Sequence, residues 1–185
     1  MFELAVVLPL VAFLILALMF LLFLRRAGRL GTATRDVERF RRQVGDLAKR
    51  AEVSLAEMSG RIDSVRRGSL APGAIAEDIT ASLDAVQRYA DEGRGLRAPH
   101  DGHAIRDALV SELERARRAL EMVEHGCTIQ STMRAGSRGL EAQTAIKRGY
   151  LNLLHAREAI ARHAQEAAAL VTVDPSRRPP TRRTV

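Results

Sequence analysis

The chain has 185 residues, with 29 basic against 22 acidic side chains and a formal net charge of +7. A single cysteine excludes an internal disulfide framework. Aromatics at 4 % without tryptophan exclude the stacking platform on which single-strand nucleic-acid binders rely.

Residues 1–3 read as a short external tip. From Leu4 to Leu24 no side chain is charged or polar, and as a helix that run would span roughly 31 Å, close to a bilayer's hydrocarbon thickness. A cleaved signal would start basic and have a shorter apolar core, whereas this run follows Glu3 and ends in Arg25-Arg26. The pattern predicts a retained transmembrane helix over 4–24, with Arg25, Arg26 and Arg29 as membrane-flanking cations in a basic linker over 25–33. The positive-inside tendency then puts the tip outside and residue 25 onward in the cytoplasm of a cell inner membrane or plasma membrane. The lone Cys127 agrees with a reducing compartment. The lipid bilayer is the first expected partner.

Charge is unevenly spread. Residues 25–67 hold 12 basic and 6 acidic side chains, residues 68–135 hold 8 and 11, and the tail 172–185 holds 4 and 1. Within the basic segment, Arg39, Arg41, Arg42, Lys49 and Arg50 are the candidate polyanion contacts. The acidic middle argues against nucleic acid as the main partner.

Helical periodicity begins at residue 34. Apolar side chains at Val37, Phe40, Val44, Leu47, Ala51, Leu55, Met58, Ile62 and Val65 recur every three or four positions, which predicts one long amphipathic helix. Acid-first pairs such as Asp46 with Lys49 and Arg50 support its wet face. "RRGSLAPG" should end it, with Gly68 and Gly73 as cap or turn residues and Pro72 in the next first turn. A second helix with Ile75, Ile79, Leu83, Val86 and Ala90 on one face should reach about Glu92, and "EGRGLRAPHDG" should break it. The third starts near Asp101 and presents Ile105, Leu109, Leu113, Ala116, Leu120, Val123 and Cys127 as far as about Met133. "RAGSRG" is the next expected break, before a fourth helix carrying Ile146, Tyr150, Leu153, Ala156, Ile160, Ala164, Ala167 and Val171. No segment alternates with period two. Residues 172–185 are Pro- and Arg-rich with little to bury and read as a disordered tail.

The expected fold class is therefore all-α: a single N-terminal transmembrane helix, then a long amphipathic helix and an antiparallel three- to four-helix bundle over 34–171. Chemistry is sparse. Among His100, His103, His125, His155 and His163 no pair stands at i,i+4 with the glutamate of a metalloprotease motif, and no glycine cluster continues into Gly-Lys-Ser/Thr. No catalytic residue, metal site or cofactor is expected. Ser69 and Thr181 each follow two arginines, as substrates of basic-directed kinases do. The sequence thus reads as a membrane-anchored cytoplasmic interaction or scaffold module, with a protein partner or a homo-oligomer. The alternatives are a membrane-associated nucleic-acid-binding protein and an enzyme with an unrecognised site.

Overall fold

The computed structural model describes the backbone of residues 2–132 and 138–170, and the side chains of residues 16–20, 34–131 and 138–170. Among the described residues four helices carry the fold: α1 (Phe2–Arg66), α2 (Ala76–Gly95), α3 (His103–Thr132) and α4 (Gly139–Ala169). Among the described residues there is no strand. The chain divides into two units, residues 1–38 with 171–185, and residues 39–170.

In the second unit, charge pairs and close approaches fix the topology. Arg50 and Arg61 of α1 bridge to Glu92 and Asp78 of α2, so residues later in α1 meet residues earlier in α2. Arg94 of α2 pairs with Glu114 of α3. Gly126 and Gly149 set α3 against α4, with Ile146 and Val123 as their respective neighbours. Arg66 lies 5.2 Å from the Tyr150 ring centroid and Arg157 Nη1 donates to Ser59 Oγ at 3.4 Å, which returns α4 to α1. Every neighbouring pair runs antiparallel. The result is an up-down-up-down four-helix bundle, the topology short connections favour.

The predicted stripes point inward. Phe40, Val44, Leu47, Ala51, Leu55, Met58, Ile62 and Val65 form one core with Leu109, Leu113, Leu120, Leu153 and Ile160. The long amphipathic helix is thus the first member of the bundle, not an element preceding it. It ends where expected: Gly68 takes φ +76°, and its N–H reaches the Val65 carbonyl while Ser69 N–H reaches that of Ser64. That is a Schellman cap, in which a left-handed residue satisfies carbonyls the helix leaves open.

Three boundaries differ from the sequence reading. Pro72 opens a 3-10 turn, Pro72–Ile75, and α2 starts after it. Gly93 does not break α2 but lies buried inside it, because a side chain there would meet Val110 Cγ2 at 3.0 Å. A second 3-10 turn, His100–Gly102, precedes α3. The expected break at 133–137, the Thr181 site and the tail 172–185 lie outside the described residues.

The expected membrane crossing at 4–24 is not upheld. Among the described residues no helix is long and apolar enough to cross a membrane. From Thr34 onward α1 carries charged side chains no more than five positions apart, so no described window there is apolar throughout. The single-pass topology, the lipid bilayer as partner, the inner- or plasma-membrane location and the membrane-anchored form of the function all depended on that crossing and are withdrawn with it. The side chains of Arg25, Arg26 and Arg29 lie outside the described residues.

Candidate interaction surface

The five cations singled out on α1 do not form one patch. Helical spacing sends positions 41 and 50 to opposite flanks of the buried stripe. Arg41 is half-buried and donates from Nη2 to the carbonyl of Ala168, one of the carbonyls left open at the end of α4. Arg50 donates to Glu92 at 2.5 Å and lies 5.6 Å from the Tyr89 ring centroid. Its hydrogen bond to Glu92 is the main reason its guanidinium holds its proton more tightly than usual. Arg39, Arg42 and Lys49 are exposed, interleaved with the exposed carboxylates Asp46 and Glu52.

Many of the titratable groups are spent on surface pairs. Arg66 and Arg67 both reach Asp63, at 2.7 and 2.8 Å, and Arg117 reaches Glu121 at 2.9 Å. His163 Nδ1 is 2.7 Å from Glu166 Oε2, one helical turn away. Among the described residues no group of three His, Cys, Asp or Glu could hold a metal ion. Cys127 is 5 % exposed, and burial pushes its thiol up to about 11, so at neutral pH it is a packed apolar side chain. Ser69 is exposed beyond the α1 cap and donates its hydroxyl to the Ser64 carbonyl at 2.9 Å.

The outer face of α4 is different in kind. Residues 142, 146, 149 and 153 point into the bundle, which turns 140, 144, 147 and 151 away from it. Leu140 is 76 % exposed and Leu151 43 %. Beside them an open groove of about 560 Å³ runs between α3 and α4, lined by Met122, His125, Leu140, Glu141, Thr144, Ala145 and Arg148. Arg138 holds both oxygens of Glu141, at 2.8 and 3.2 Å, and this keeps the Glu141 carboxyl below the usual carboxylate range. No ion pair joins Lys147 or Arg148 to another described residue.

Sequence reasoning missed this face because it searched α4 for its buried stripe. The available signal was Leu140 and Leu151, two leucines eleven positions apart, off that stripe and on one side of the helix. Gly126 and Gly149 were also missed. A Cβ at Gly126 would sit 2.9 Å from the Ala142 carbonyl, and one at Gly149 would sit 2.7 Å from that of Ala119, so both glycines permit near backbone contact of α3 with α4. No family model, curated protein or solved structure matches the chain.

Proposed function

We propose that residues 39–170 act as a non-catalytic helical interaction module, which binds protein through the outer face of α4. The observation that carries this reading is the exposure of Leu140 and Leu151 beside the open groove, where exposed apolar side chains and unpaired cations lie together. Apolar side chains rimmed by charge are the usual composition of a protein-binding surface. The polyanion reading is weaker, since Arg41 and Arg50 are bound within the bundle.

The test is affinity purification of the full chain from its own cells, beside the double variant Leu140→Glu, Leu151→Glu. Both substitutions lie on solvent and should leave far-ultraviolet circular dichroism unchanged. Loss of specific co-purifying chains, the protein's own second copy included, supports the reading. An identical set from both proteins would sink it.

A further inference from the structure

We propose that Ser69 is the phosphoacceptor of a serine/threonine kinase directed by basic residues, and that its phosphate opens the end of α1. Among the described residues Ser69 is the only serine or threonine outside a helix. Ser59, Ser64, Thr80, Thr128 and Thr144 donate instead to the carbonyl one turn back in their own helices, where the chain around the acceptor cannot extend into a kinase cleft. Ser69 is exposed, and Ala71 just beyond it is extended, at φ −69° and ψ 140°. Arg66 and Arg67 stand three and two positions before it and Leu70 one after, a charge pattern that a kinase reads with its own carboxylates. Both arginines are exposed and share the single carboxylate of Asp63, at 2.7 and 2.8 Å. Surface pairs of this kind give way readily to a competing anion.

In the transfer, Ser69 Oγ attacks the γ-phosphorus of a nucleoside triphosphate as the bond to the β-γ bridging oxygen breaks. The nucleoside diphosphate leaves, and the hydroxyl proton passes to the catalytic carboxylate of the kinase. Two things then change at the cap. The Ser69 oxygen no longer donates to the Ser64 carbonyl. A phosphate of nearly two negative charges also stands beside the last carbonyls of α1, the end at which a helix repels an anion. The phosphate competes with Asp63 for Arg66 and Arg67. Drawing Arg66 over takes it off the Tyr150 ring, one of the contacts by which α1 meets α4. Phosphorylation thus loosens the Schellman turn and a tie between the first and last helices.

The purified full chain is incubated with magnesium ATP and the catalytic domain of a kinase that prefers arginine two and three positions before the acceptor. A synthetic peptide of residues 63–73 is treated alongside. Mass spectrometry should place phosphate on Ser69, and the folded chain should react within about tenfold of the peptide's rate, since only a helix end has to open. A larger deficit, or phosphate on Thr181 alone, would overturn the site. Replacing Arg66 and Arg67 together by Ala should slow chain and peptide alike, by about tenfold or more. Slowing of the chain alone would mean that the arginines act only through the fold, and the basic-directed reading would fail. The amides of Ser69 and Leu70, both bonded to the Ser64 carbonyl, report the cap. In the phosphorylated chain they should exchange at least about tenfold faster while buried amides of α3 do not change. A nearby anion by itself repels hydroxide and slows exchange, so acceleration can come only from opening. Unchanged or slower exchange would show that the phosphate leaves α1 closed.

Discussion

Gly149 and Gly45 show how one residue type takes opposite roles in helices of the same bundle. A Cβ at Gly149 would meet Val123 Cγ2 at 2.6 Å and the Ala119 carbonyl at 2.7 Å, whereas one at Gly45 would meet nothing within 4 Å. Gly149→Ala should destabilise the chain by about 1–3 kcal/mol, because the overpacking outweighs the gain in helix propensity. Gly45→Ala should stabilise it by roughly 0.5–1 kcal/mol. Urea unfolding of the two variants checks both signs. Cys127 adds a pH dependence. Its folded thiol titrates near 11, above the ordinary cysteine value, so the folded state keeps its proton longer than the unfolded one. Below about pH 8.5 this contribution to stability is complete, and it is lost as the pH rises towards 11. A thiol reagent should label native Cys127 slowly at pH 8 and the urea-unfolded chain fast. Equal rates would mean that the thiol is not packed as described.

Helix ends in the bundle are closed by contacts of two kinds, one local and one from a distant element. At the end of α1, Gly68 supplies the left-handed residue and Ser64 and Val65 supply the carbonyls, all within six positions. A cap of this kind is visible in sequence. The end of α4 instead receives Arg41 of α1, 127 positions away, on the Ala168 carbonyl. Replacing Arg41 by Ala should cost about 0.5–1.5 kcal/mol and speed amide exchange in the last turn of α4, with α3 unaffected. Unchanged exchange at the end of α4 would remove Arg41 from that role. The same distinction explains the candidate cations of α1. Their types and spacing are local facts, but Arg41 and Arg50 acquire α4 and α2 as partners only when the helices assemble.

At the scale of the bundle, the inner and outer faces of α3 and α4 should respond to substitution in opposite ways. Leu113 is fully buried among four helices, and Leu113→Ala should cost about 2–5 kcal/mol through lost burial and a residual cavity. Leu151→Glu removes an apolar side chain of comparable size from the outside and should change monomer stability by no more than about 0.5 kcal/mol. Thermal unfolding at low protein concentration separates the two. A large loss for Leu151→Glu there would mean that this leucine belongs to the core.

The helices of the bundle follow from the sequence itself. Burial of one face per helix demands apolar side chains every three or four positions, and that periodicity is written at Phe40 to Val65, Leu109 to Cys127 and Ile146 to Ala167. Gly68 likewise marks its own cap, because a left-handed backbone is cheapest for glycine. The apolar run at 4–24 was equally legible, yet no helix among the described residues crosses a membrane, so length and hydropathy alone did not establish an anchor. Assembly decided the rest. Gly93 looks like a helix breaker in one dimension, and Gly126 and Gly149 look like neutral interior positions, yet the approach of a second helix makes all three the residues that fit. The α4 surface depends on assembly in the same way: which leucines face water is fixed by which face of the helix the other three helices have already occupied.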